Sequence, residues 1–184
     1  MQNEGLTPTC LKGDNMKKIG IIVGSLRQNS LNKQLAEKFV KIGHPELEFS
    51  FIDIKELPLF SEDLEENPPS AVVQMRKDIQ KVDTVLFMVP EYNRSVSGVL
   101  KNAIDWASRP YDQGCLKGKN AAMAGVAYGM AGTAVAQSHL RSILPVVGMN
   151  LIQQPEMYIT YKEGIWEDEK TSAFFKSFLK ALAQ

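Results

Sequence analysis

Apolar residues fall along this chain in two alternating rhythms. Residues 18–24 (Lys-Ile-Gly-Ile-Ile-Val-Gly) and 84–89 (Thr-Val-Leu-Phe-Met-Val) are short apolar runs without polar alternation, the pattern of strands covered on both faces of a parallel sheet. Between them, Leu31, Leu35, Phe39 and Ile42 recur at helical spacing behind Ser30, a good N-cap, and the segment stops at Gly43 and Pro45. Val72, Met75, Ile79 and Val82 mark a second helix. Residues 47–54 partly alternate, with Leu47, Phe49 and Phe51 on one side, which predicts a strand near a sheet edge. Residues 55–69 form an acidic, proline-bearing loop.

The same alternation continues. Ser97 caps a predicted helix whose inner side is Leu100, Ala103, Ile104 and Ala107, and residues 120–127 are a strand of small residues. A helix over 133–147 places Ala136, Leu140, Ile143, Leu144 and Val147 inward, and a last strand lies within 149–160. A terminal helix buries Phe174, Phe175, Phe178, Leu179 and Leu182. Strands alternating with helices predict a doubly wound α/β fold, a parallel sheet with helices on both faces. No repeat, low-complexity tract or linker divides residues 16–184, which are read as one domain. Residues 1–15 are polar, carry Gly5, Pro8 and Gly13, and are expected to be a disordered N-terminal tail, with Met16 as an alternative start.

Composition narrows the function. A chain of 184 residues, 44% hydrophobic, supports one sizeable core. Its 21 basic and 21 acidic residues cancel, so no global field favours nucleic acid or an anionic membrane, and the expected partner is a small molecule or another protein. Cys10 and Cys115 form no C-x-x-C pair or disulfide framework, which points to a reducing compartment. No run reaches the ~18 apolar residues of a membrane span, and the first fifteen residues lack a signal-peptide core. A cytoplasmic location is expected.

In a parallel α/β sheet, ligands bind beyond the carboxyl ends of the strands, which singles out the loops 24–30, 90–97 and 127–132. The first, Gly24-Ser25-Leu26-Arg27-Gln28-Asn29-Ser30, has too few glycines for a dinucleotide turn or a P-loop. It offers hydroxyls, an amide and a guanidinium at a helix start, a setting that favours a terminal phosphate. The same residues also satisfy a plain helix cap beside a solvated arginine. The second loop sets Glu91, Tyr92 and Asn93 behind the stiff Pro90, an aromatic plane with polar edges on which a flat heterocycle can dock.

Bland roles fit the other candidates. His44 and His139 have no metal-ligand spacing and are expected to be structural, and Asp53 lacks the glycine turn that would make it a ribose acid. The acidic run 62–66 is expected to be a solvated loop, and no G-x-S-x-G nucleophile elbow occurs.

The motifs G-S-L-R-x-x-S-x-N (24–32) and P-E-Y-N-x-S-x-x-G-x-L-K-N-A-I-D-W (90–106) resemble those of the NAD(P)H-dependent FMN reductases, above all the chromate- and quinone-reducing members. The similarity runs over about residues 17–160. It implies a flavodoxin-like five-stranded sheet in the order 2-1-3-4-5, bound FMN, NADPH or NADH as hydride donor, and a homodimer or homotetramer. By the same resemblance Ser25, Arg27, Ser30, Leu31 and Asn32 hold the FMN phosphate. Pro90, Glu91, Tyr92 and Asn93 line the isoalloxazine, with Ser95 close by and Ala127, Tyr128 and Gly129 on the ring's other edge.

Two positions depart from the family pattern. Ser97 stands where proline is common, which predicts a looser loop, and Val135 stands where tetrameric relatives carry arginine, leaving Arg94 and Glu156 as candidates for a tetramer contact. The implied activity is two-electron reduction of quinones, flavins, azo compounds or metal oxyanions such as chromate by a ping-pong scheme. The competing expectation is a flavodoxin-type electron carrier without nicotinamide activity, against which stand the zero net charge and Arg27.

Overall fold

The computed structural model describes residues 16–184, and the expected tail, 1–15, lies outside them. The first strand, β1 (Lys17–Val23), leads into helix α1 (Leu31–Ile42) and strand β2 (Leu47–Phe51). Helix α2 (Ser70–Gln80) and strand β3 (Thr84–Met88) follow the acidic loop. Two short strands, β4 (Glu91–Tyr92) and β5 (Ser95–Val96), precede helix α3 (Gly98–Ala107) and strand β6 (Asn120–Ala127). Helix α4 (Ala134–Ile143), strands β7 (Asn150–Leu151) and β8 (Met157–Thr160), and helix α5 (Glu169–Ala183) complete the chain.

The main sheet runs β2-β1-β3-β6, with β7 and β8 both pairing with β6, and every pairing is parallel. This is the expected order 2-1-3-4-5 with its last strand in two pieces. β7 pairs with the start of β6 at Asn120 and Ala121, and β8 pairs with its end from Ala124 to Ala127. Pro155 lies between the pieces, where it can donate no ladder hydrogen bond.

Each face of the sheet buries its own cluster. On one face Phe39 of α1 packs with Phe175 and Phe178 of α5 over Ile19, Ile21, Leu86 and Met88. On the other, Val72, Met75 and Ile79 of α2, Leu100 and Ile104 of α3 and Leu140 of α4 cover Ile22, Val85 and Phe87. Residues 85–88 therefore alternate between two cores, which is why β3 reads as an unbroken apolar run.

Three expectations are corrected. Helix α4 stops at Ile143 rather than at 147, because Pro145 has no N–H with which to continue the helical hydrogen bonds, although Leu144 before it keeps helical backbone. β2 ends at Phe51, although Ile52 and Ile54 remain buried beyond it. Phe174 is 36% exposed and stays outside the α5 core. Within the loop 90–97 the chain forms a short hairpin.

Candidate active site

The carboxyl ends of β1, β3 and β6 open into a crevice of about 250 Å³. The loop after β1 supplies its first wall. Ser30 caps α1, its hydroxyl accepting from the Lys33 amide at 3.3 Å, and is buried at 3% exposure. Among the described residues no acceptor meets the backbone amides of Leu31 and Asn32, and the first turn of α1 carries no acidic residue. Two open amides at the positive end of a helix dipole, with Ser25 and the exposed Arg27 lining the same crevice, form an anion-binding donor set. The donors present fit a phosphate.

Asn32 has a different task from its neighbours. Its side-chain amide donates to the Val126 carbonyl and accepts from the Val126 amide, each at 3.1 Å, so it clasps the end of β6 and fixes the first loop to it. Its backbone amide remains open to a ligand.

The second wall is the β4–β5 hairpin. Its two turn residues, Asn93 (φ 51°) and Arg94 (φ 61°), both lie in the left-handed region, the geometry of a two-residue turn whose twist matches its strands. Asn93 thus occupies the turn and Ser95 faces α4, where its hydroxyl lies 3.1 Å from His139 Nδ1; neither lines the crevice. Glu91 does line it, but its Oε2 accepts from the amides of Val135 and Ala136 at the start of α4, each at 3.0 Å. Tyr92 projects at the mouth, 53% exposed.

Behind the hairpin, Ser97 is buried, its hydroxyl donating to the Gly24 carbonyl at 2.7 Å and accepting from the Leu100 amide at 3.3 Å. Serine at this position ties the first loop to the second, which corrects the expectation of a looser loop.

The third wall is residues 127–129. Thr160 donates to the carbonyls of Gly129 and Met130 at 3.1 Å, and Tyr128 packs edge-on against Tyr161 while remaining 64% exposed. Two glycines allow this loop to sit so close to the sheet. A Cβ on Gly125 would collide with Thr133 Oγ1 and the Val89 carbonyl, and Gly132 turns with φ 55°, where a Cβ would come within 3.0 Å of the Ile159 amide nitrogen.

The expected site residues other than Asn93 and Ser95 therefore converge on one crevice, joined by Val126. Among the described residues no cluster of His, Cys, Asp and Glu is arranged to hold a metal.

A family model described as NADPH-dependent FMN reductase matches residues 17–164. The chain belongs to that family. It is thereby a flavin-dependent NAD(P)H oxidoreductase. It is 42% identical over 172 residues to a 2-hydroxy-1,4-benzoquinone reductase of a Burkholderia species, covering 90% of this chain and 94% of that one. It is 38% identical over 176 residues to an NAD(P)H-dependent FMN reductase of Pseudomonas aeruginosa, with 92% and 94% covered. The solved structure of FerB, an NAD(P)H:(acceptor) oxidoreductase from Paracoccus denitrificans, superposes with a TM-score of 0.87 at 40% identity, over 91% of this chain and 96% of that one.

In this FMN reductase, residues of the second motif that had no assigned role turn out to hold the loop after β2. Asn102 accepts from the Phe60 amide at 2.8 Å and donates to the Pro58 carbonyl at 2.9 Å, and Trp106 Nε1 donates to the same carbonyl at 2.8 Å. Their spacing of four residues on a helix was the sequence signal for a shared partner. Arg109 adds ion pairs to Glu65 at 3.0 Å and Glu62 at 3.9 Å; Glu65 is half-buried, while the rest of the acidic run is exposed, as expected. Arg94 pairs with Glu91 at 3.7 Å and Glu156 with Arg141 at 3.2 Å, so both proposed tetramer charges have partners in their own chain.

A larger hollow, about 480 Å³, lies between the outer face of α3 and the end of α4. It is floored by Ile104, Ile143 and Val147 and rimmed by Lys101, Asp105, Asp112 and Lys117. It shares no residue with the crevice and none of its chemistry.

Proposed function

We propose that the protein is an NAD(P)H:quinone oxidoreductase that holds FMN in the crevice. The observation carrying this reading is the acceptor-free start of α1, with Ser25 and Arg27, beside an open slot walled by Tyr92 and Tyr128. Ser25, Arg27 and the amides of Leu31 and Asn32 hold the phosphate, while Ser30 keeps the helix start in place. Pro90, Tyr92, Ala127, Tyr128 and Gly129 border the ring system, with Glu91 behind them.

When bound, FMN supplies the redox chemistry, taking hydride from NADPH or NADH and delivering two electrons to an acceptor. The chain has to grip the phosphate, orient the ring and leave one face open. Tyr92 and Tyr128, both more than half exposed at the mouth, offer aromatic surfaces for a planar substrate. Benzoquinones are the favoured acceptors, in keeping with the Burkholderia relative's name. Free flavins, azo compounds and chromate are further acceptors that an open slot admits.

Ligand sites commonly enclose roughly 300–1,000 Å³. A 250 Å³ crevice leaves part of a flavin outside, which supports cover by a second copy. Separately from that cover, the groove between α3 and α4 offers a surface for an isologous homodimer: an apolar floor, charges of both signs on its rim, and Tyr111 and Val146 prominently exposed beside it. We assign the reaction to the cytoplasm, where the free Cys115 thiol stays reduced.

One crevice serving both donor and acceptor requires them to bind in turn. Initial rates measured against NADPH at several benzoquinone concentrations should give parallel double-reciprocal lines. Intersecting lines would reject a shared site.

A further inference from the structure

Helix α4 begins without a cap of its own. Thr133, at its N-cap, makes no capping hydrogen bond, because its hydroxyl accepts instead from Gln137 Nε2 at 2.9 Å. The amides of Val135 and Ala136 would be left as unpaired donors at the positive end of the helix. Glu91 supplies the missing acceptor from another element, with Oε2 at 3.0 Å from each amide. Its side chain is only 9% exposed, and its other oxygen, Oε1, lies 3.7 Å from Arg94 across the hairpin turn. The Ser95 hydroxyl and His139 Nδ1, 3.1 Å apart, fasten the second strand of the same hairpin to α4.

The geometry points to Glu91 as a positioning residue that locks the hairpin carrying Tyr92 to the start of α4, and through it to the 127–133 loop carrying Tyr128, so that one carboxylate sets the spacing of two crevice walls. That these walls receive a planar substrate rests on the function proposed above. The clasp does not touch the anion site, which belongs to α1 and the loop before it. A hydrogen bond from a helix-terminal amide to a charged acceptor is strong, and a glutamine oxygen can accept from the same two amides.

The test compares wild type with Glu91→Ala, Glu91→Leu and Glu91→Gln, each loaded with FMN. Amide exchange at Val135 and Ala136 is followed by NMR alongside steady-state kinetics with a benzoquinone. In the Ala and Leu variants both amides should exchange about tenfold faster and the quinone KM should rise about tenfold, the size of one lost cap. Gln should restore both amide protection and KM.

Unchanged exchange in Ala and Leu, or fast exchange of both amides in the wild type itself, overturns the clasp. So does a Gln variant as defective as Ala, because the charge rather than the cap would then be what matters. Should the Ala variant not fold, the Leu variant keeps the bulk and the wild-type measurement stands alone. A wild type that binds no FMN refutes the function and leaves the exchange result to decide the clasp in the apoprotein.

Discussion

Asn32 and Val126, 94 residues apart, meet as if they belonged to adjacent strands: the side-chain amide of Asn32 exchanges two 3.1 Å hydrogen bonds with the backbone of Val126. Strand β3 would otherwise serve β6 on this side, since Val89 still donates to the Ala124 carbonyl at 2.8 Å. β3 ends at Met88, and beyond Pro90 the chain enters the β4–β5 hairpin instead of continuing along β6. Asn32 takes over the ladder where β3 leaves it. The crevice exists because β3 turns away, and the sheet tolerates the gap because a side chain from α1 fills it.

Asn32→Leu should therefore be strongly destabilising, because it leaves a buried donor and a buried acceptor of Val126 unpaired. At about 1–3 kcal/mol for each of the two unsatisfied groups, the loss should come to about 2–6 kcal/mol. Urea denaturation of the apoprotein measures it, and a loss below about 1 kcal/mol would mean that water or another group replaces the clasp.

Arg27→Ala bears on the ligand rather than the fold. The side chain is exposed, so stability should change little, whereas a charge-assisted contact to phosphate worth about 1.5–3 kcal/mol should disappear. FMN affinity should drop about tenfold to a hundredfold with riboflavin affinity unaffected. Equal FMN affinity in variant and wild type would remove Arg27 from the site.

Much of this layout was legible in the chain. The unbroken runs in β1 and β3 announced strands buried on two faces, and Ser30 announced the start of α1 correctly. What stayed hidden were tasks that depend on residues distant in sequence. Nothing near Asn32 indicates that Val126 will lack a partner, and nothing near Glu91 indicates that α4 will start uncapped. Asn93 and Ser95 fell within a motif, but one forms the hairpin turn and the other meets His139, 44 residues away, which no local pattern announces. The early end of α4 was readable from Pro145 and was overrun by counting apolar positions alone.

Ser97→Ala checks the corrected view of the second loop. It removes both the cap on Leu100 and the bond to the buried Gly24 carbonyl, and should cost about 1–3 kcal/mol in urea denaturation. A neutral substitution would show that the loop does not depend on this serine.

Cys115 gives a pH signature. Burial pushes its thiol from an ordinary value near 9 up to about 11, with Arg76 opposing the shift. The folded state keeps a proton that the unfolded chain releases, so stability is full below about pH 9 and falls as pH rises toward 11, by about 2–3 kcal/mol in all. Cys115→Ala should lose correspondingly less stability over that window. Peptide-resolved alkylation at pH 8 should leave Cys115 largely unmodified in the folded protein, and rapid labelling there would contradict the burial.

The most direct measurement is anaerobic mixing of the FMN-loaded protein with NADPH or NADH, followed by addition of a benzoquinone. The yellow flavin absorption should bleach with at least one donor and return when the quinone is added. A flavin that stays oxidised with both donors would contradict the oxidoreductase assignment and leave only an electron carrier.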